Sequence, residues 1–235
     1  MLTLPSPVFW INHACFYLEQ RLVKRCADYH LSSIETFSRN SERARPQLIC
    51  LSHVEQLPIL KAGDLVFDSR TLAPQEAILL ATQYRQQQIN YIEVHWPATP
   101  FGIEYGFLLT VGADEVALSQ AKPLLDMLAP TANGWLHAGP VGSANYLISL
   151  FKTCLHNLQS FSTFIDNTPS AHWLALFKQQ QQLAQQLATE AENYLNSCEN
   201  NFSASTSAYL KTQHYPAQQA ANMIIDLARS CQQNA

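Results

Sequence analysis

The chain has 235 residues, eight His and six Cys among them, and their spacing supports no metal chemistry. Cys15, Cys26, Cys50, Cys154, Cys198 and Cys231 are scattered, with no C-x-x-C pair and no zinc-ligand spacing. No G-x-S-x-G elbow presents a nucleophilic serine. The seven Gly all lie between Gly63 and Gly142. A phosphate-cradling loop needs glycine so that backbone can approach a pyrophosphate. The first 62 residues therefore hold no standard P-loop or dinucleotide fingerprint. Arg39, Arg43 and Arg45 make a small basic patch that reads as a solvated face. Asp64 and Asp68 flank a strand-like run, and Asp68 reads as a strand-end residue rather than a general base.

The elements that would position such groups follow from the hydrophobic pattern. Short apolar runs rich in β-branched and aromatic residues mark buried strands: Val8–Ile11, Ile34–Phe37, Leu48–Leu51, Leu65–Asp68, Tyr91–Val94, Phe107–Val111 and Trp135–His137. Helices are expected between them over 14–28, 53–60, 74–88 and 114–128. Pro74 suits a helix start and Thr71 is expected to cap it. The alternation predicts an α/β domain with a mostly parallel sheet. Ser38–Gln47 is too short for a full crossover helix, so that side of the domain is pared down. No strand-like run appears after Gly142. Residues 143–166, 170–198 and 216–231 read as helices, with Ser203–Ser207 a loop. Over 170–198, Trp173, Leu176, Phe177, Leu183, Leu187, Ala191, Tyr194 and Leu195 form one amphipathic stripe, and the Gln run 179–182 forms the opposite face. The expected organisation is a reduced Rossmann-like domain over 1–142 and an all-α domain over 143–235.

Composition bounds the function classes. Hydrophobic residues at 47% supply a sizeable core, while charged residues are only 14%, against about 25% in an average domain. The net charge of −4 and pI near 6.0 argue against nucleic acid as a partner. No apolar run approaches the roughly 20 residues that span a bilayer, and residues 1–8 show no secretory signal. The scattered cysteines read as reduced, buried thiols, so a cytoplasmic location is expected.

Three blocks carry a family resemblance. They are Gly102-Ile-Glu-Tyr-Gly-Phe-Leu-Leu-Thr-Val-Gly112, Lys122-Pro-Leu-Leu-Asp-Met-Leu-Ala-Pro130 and Gly134-Trp-Leu-His-Ala-Gly-Pro-Val-Gly142. Weaker likeness extends back through Ala62-Gly-Asp-Leu-Val-Phe-Asp68 and Phe37-Ser-Arg-Asn40. Together they resemble 6-phosphogluconate dehydrogenases and the wider β-hydroxyacid dehydrogenase superfamily over residues 8–155. The resemblance implies a Rossmann-like domain followed by a helical domain that often builds a dimer. Fold does not carry function, so the sites are compared residue by residue.

In that family a G-x-G-x-x-G turn follows the first strand. Trp10, Asn12 and Cys15 stand at the three glycine positions here. A Cβ at the middle one would collide with the phosphates; Asn12 and His13 remain as candidate anion contacts at a helix start. Ser38, Arg39 and Asn40 match the segment that meets the 2′-phosphate of NADP, Arg39 being the choosing residue. The family's Ser-Gly-Gly substrate turn is replaced by Pro97, Ala98 and Thr99. His95, Thr99 and Asn145 are the candidate substrate contacts, with Glu104 nearby and His137 assigned a structural duty. Ile148 occupies the catalytic lysine position of the long helix. Asn145 and Phe151 replace two histidines, Lys152 an asparagine, Leu155 a glutamate and His156 a tyrosine. Lys152 lies one turn beyond Ile148, about 6 Å away on the same helix face.

Two functional readings follow. In the first, the cofactor loop, substrate turn and catalytic helix have changed together, and the chain is a non-catalytic relative with a binding, regulatory or assembly role. It needs no cofactor, forms a homodimer through the C-terminal helices, and takes any small-molecule ligand in the interdomain cleft. In the second, it is an NADP-dependent oxidoreductase acting on a hydroxy acid or related metabolite through a rebuilt site, with Arg39 holding the 2′-phosphate and Lys152 supplying the proton. Proton transfer needs a group about 2.6–3.2 Å from the reacting atom, and Ile148 supplies none.

Overall fold

The computed structural model describes residues 8–11, 20, 21, 24, 47–51, 60–97, 99–167, 173–200 and 215–233. Six strands, β1 Val8–Ile11, β2 Gln47–Leu51, β3 Leu65–Asp68, β4 Asn90–His95, β5 Thr110–Ala113 and β6 Leu136–Gly139, form one sheet in the order β1-β2-β3-β4-β5-β6. β1 to β4 pair in parallel, β5 runs antiparallel to β4, and β6 is parallel to β5. This is the expected α/β architecture with a mainly parallel sheet. The expected strand Ile34–Phe37, the helix over 53–60 and most of the helix over 14–28 lie outside the described residues, as does the loop Ser203–Ser207.

Helix α1 (Pro74–Gln86) starts on Pro74, but its N-cap is Ala73 and no side chain caps it. The expected Thr71 cap is therefore corrected. Proline at the first helical position has no N–H to satisfy, which lowers the need for one. Strand β5 is also shifted from the expected Phe107–Val111. Phe107 and Leu109 are buried, but the Phe107 amide donates to the Leu128 carbonyl at 2.8 Å, at the end of α3 (Glu115–Leu128), rather than to a strand. An apolar run signals burial, not pairing, and the small residues Gly112 and Ala113 concealed the true end of the strand. A six-residue helix not anticipated from sequence, α2 (Pro100–Tyr105), begins directly after Thr99, its N-cap.

The two faces of the sheet are filled differently. Leu65, Phe67, Ile92, Val94, Val111 and Ala113 share a core with Ala117, Ala121, Leu124, Leu125 and Leu128 of α3. Val66 and Tyr91 instead share one with Ala77, Ala81 and Tyr84 of α1. This is the period-two alternation of a sheet covered on both sides.

By contact, the chain divides into unit 1, Met1–Ala144, and unit 2, Asn145–Ala235. Helices α4 (Ser143–Asn167), α5 (Trp173–Asn200) and α6 (Pro216–Gln233) supply the described part of unit 2. α5 and α6 pack along each other. Their buried residues include Leu187, Ala191, Tyr194 and Cys198 on one, and Ala217, Ala221, Ile225 and Ala228 on the other. Four of the alanines let the two backbones approach closely. Tyr146 of α4 stacks on Tyr194 with centroids 4.3 Å apart. Asn157 and Gln180 exchange two amide hydrogen bonds, at 2.9 and 3.1 Å, tying α4 to α5. Burial pushes the Tyr146 phenol up to about 12.

Candidate functional site

In open α/β sheets ligands bind outside the carboxyl ends of the parallel strands. Here β3 ends on Asp68 and β4 ends on His95, and both are buried. Asp68 pairs in register with Glu93, and Glu93 with Gly112 of β5. Period-two alternation places Asp68, Tyr91, Glu93 and His95 on the α1 face of the sheet. Two carboxylates at 1% and 0% exposure thus lie side by side across neighbouring strands.

Buried charges persist only when paired and hydrogen-bonded. Arg70 grips Asp68 through its side chain, with Nε 2.9 Å from Oδ1 and a terminal nitrogen 2.6 Å from Oδ2, while its own amide donates to Oδ1 at 3.0 Å. The Tyr91 hydroxyl donates to Oδ2 at 2.9 Å. The hydrogen bond to Asp68 raises the Arg70 guanidinium further, against the desolvation that lowers it. Burial, then the charges of Asp68 and Glu93, push the Tyr91 phenol well above its ordinary value. Tyr84 of α1 stacks on Tyr91 at 5.6 Å. Glu93 accepts the Ala144 amide of α4 at 2.6 Å through Oε1. The arrangement is a polar network turned inward: its carboxylates meet protein groups, and Tyr91 remains protonated as a donor.

The candidate residues named from sequence separate. Asn12, His13, Ser38, Arg39 and Asn40 lie outside the described residues. His95 is buried at the end of β4, whereas Thr99, the N-cap of α2, is exposed and makes no side-chain cap. Asn145 is buried on α4, Ile148 is half-buried and Lys152 is exposed. Glu104 is ion-paired with Lys24 and more than half exposed. His137 fits a structural duty, its Nε2 lying 3.2 Å from the Ala113 carbonyl; burial lowers its pKa despite that contact. Cys198 is buried as expected, but Cys154 is only half-buried; neither is in a disulfide. Among the described residues no group of His, Cys, Asp and Glu could hold a metal ion, and no helix is long and apolar enough to cross a membrane.

Sequence reasoning missed Glu93, Arg70 and Tyr91. The signal for Glu93 was present: a lone carboxylate interrupts the apolar run Tyr-Ile-Glu-Val of a strand buried on both faces.

Similarity to known proteins shows in the fold. No protein-family model matches the chain, and no curated protein matches it by sequence. Among solved structures, an imine reductase from Myxococcus stipitatus in complex with NADP+ superposes with a TM-score of 0.50 at 15% identity, covering 98% of this chain and 95% of the other. The 6-phosphogluconate dehydrogenase of Plasmodium falciparum superposes at 0.51 and 14% identity, covering 97% of this chain and 64% of the other. The fold is β-hydroxyacid dehydrogenase-like. A 3-hydroxyisobutyrate dehydrogenase from Salmonella typhimurium also matches, at 0.48 and 12% identity over 94% of both chains. At these identities the β-hydroxyacid dehydrogenase-like fold is what the chains share.

Proposed function

We propose that this chain is a β-hydroxyacid dehydrogenase-like protein that does not transfer hydride and serves as a binding, regulatory or assembly protein, cytoplasmic in location. The observation that carries the reading is the inward-turned network at the strand ends, where Asp68 is taken by Arg70 and Tyr91 and Glu93 by the start of α4. Ile148, at the family's lysine position, adds to it.

In this reading no dinucleotide is held in the family's pose. Trp10, which the resemblance sets at the place of the family's first glycine, is a strand residue paired with Ile49.

The second reading, an NADP-dependent oxidoreductase acting on a hydroxy acid or related metabolite through Arg39 and Lys152, draws on the match in fold to a reductase whose structure holds NADP+. Titration with NADPH and NADP+, followed by cofactor fluorescence and melting temperature, separates the two. We expect no saturable binding below 1 mM, a threshold of about −4.1 kcal/mol. A dissociation constant below about 100 μM, about −5.5 kcal/mol, overturns the first reading in favour of the second.

The assembly role takes the form of a homodimer through the C-terminal helices. Four of the eight stripe residues on α5, Leu176, Leu187, Ala191 and Tyr194, are buried within the chain, while Phe177 is exposed. A further exposed apolar row lies on α4, at Phe151, Leu155 and Leu158, spaced four and three for one helix face. Light scattering at micromolar concentration is expected to give twice the 26.4 kDa chain mass, and Phe151→Glu to return it to the monomer value. A monomer in the unmodified chain removes the dimer.

A further inference from the structure

The chain leaves unit 1 for unit 2 within the first turn of α4, between Ala144 and Asn145. The first four amides of a helix have no intrahelical acceptor. Here the Ala144 amide donates at 2.6 Å to Glu93 Oε1, on the middle of β4 and fully buried. A carboxylate at a helix N-terminus also complements the helix dipole. Room for this side chain comes from the partner strand: a Cβ added at Gly112 would lie 2.1 Å from the same Oε1.

The turn entering α4 is closely packed. Gly142 has φ +96°, and a Cβ there would meet Ile78 Cδ1 at 3.1 Å and the Pro74 carbonyl at 3.2 Å. The Ser143 amide is bonded back to the Pro140 carbonyl at 3.1 Å. The segment before α4 is thus fixed against α1, and the Ala144 amide at the start of α4 is fixed against the sheet by the Glu93 side chain.

We propose that Glu93 is the pin of the start of α4, a conformational device in which a buried carboxylate holds the first residues of that helix, Ser143 and Ala144, to the sheet, with Gly112 as the notch that admits it. Removing the pin loosens the start of α4 while the sheet and its two cores persist. The proposal does not depend on whether the protein is an enzyme.

Hydrogen exchange on the full chain tests it, read on the amides of residues 144–150. Glu93→Gln keeps the shape and an acceptor oxygen but loses the charge; exchange there is expected to quicken several-fold. Glu93→Ala is expected to quicken it tenfold or more, with protection in α1 and α3 unchanged. Gly112→Ala, which displaces the carboxylate without removing it, is expected to act like Glu93→Ala and serves if that variant fails to fold. Asp126→Asn is the control: that carboxylate receives the Asn133 amide and Trp135 Nε1, both at 2.8 Å, and touches α3 and the turn before β6 rather than α4. Exchange over 144–150 within twofold of the unmodified chain in the Glu93 and Gly112 variants overturns the proposal. So does an equal loss of protection across α1, α3 and α4, which would make Glu93 an ordinary core residue.

Discussion

Replacing Asp68 with alanine should cost unit 1 about 3–5 kcal/mol, the range for breaking a buried ion pair from one side. The magnitude follows from what the substitution leaves behind. Arg70, with its side chain only 13% exposed, would keep its charge without the carboxylate that grips it. The Tyr91 hydroxyl, in a phenol held protonated by burial, would lose the acceptor at 2.9 Å. Two buried donors would then be uncompensated, and each carries a desolvation penalty. Asp68→Asn keeps one acceptor oxygen for Tyr91 and should fall between the alanine variant and the unmodified chain. Urea unfolding followed by tryptophan fluorescence reads both: the midpoint should fall with the slope unchanged. A loss below 1 kcal/mol in Asp68→Ala would mean that the network is wetter than the geometry indicates, and would weaken the argument that this end of the sheet is filled from within.

The sequence made the sheet legible because its strands are buried on both faces. Leu65–Asp68 is an unbroken apolar run ending in one carboxylate, and it was read at its true boundaries. The C-terminal helices were legible for the opposite reason, a 3.6-residue stripe sustained over many turns. The failures have a common cause. Phe107 is apolar because it lies against α3, and its burial mimics the signal of strand pairing; in the expected run Leu109 still meets the sheet, its carbonyl accepting the Leu136 amide of β6 at 2.8 Å. Arg70 finds Asp68 only two residues away, whereas Glu93 is placed through a partner far away in sequence, Ala144, 51 residues on. Spacing along the chain carries no signal for such a bond. What was visible was the anomaly, a charge where the pattern demands an apolar side chain, and a buried charge with no local partner implies a distant one. The family register located Ile148 and Lys152 but not the carboxylate that holds the start of their helix.

Gly106→Ala is expected to be the other severe variant, with a loss of about 2–6 kcal/mol. Two costs add. Gly106 closes α2 with φ +96°, a conformation that strains any L side chain by about 1–3 kcal/mol. A Cβ there would also lie 2.4 Å from the Ala129 carbonyl carbon and 2.4 Å from the Pro130 nitrogen. These are backbone atoms that cannot rotate away, so relief requires moving α2 or the end of α3, an overpacking cost of about 1–3 kcal/mol. Arg21 resists the first movement. Its guanidinium donates to the last carbonyls of α2, Ile103 at 2.9 Å and Glu104 at 2.7 Å, and is itself buried. The strain should therefore reach Arg21 rather than stay local. Arg21→Met removes that tether, and in its background the added cost of Gly106→Ala should shrink by about 0.5–1 kcal/mol, within the coupling seen for neighbouring sites. Strict additivity of the two substitutions would show that α2 is held by Gly106 and its own contacts alone, and that the Arg21 tether carries none of the strain.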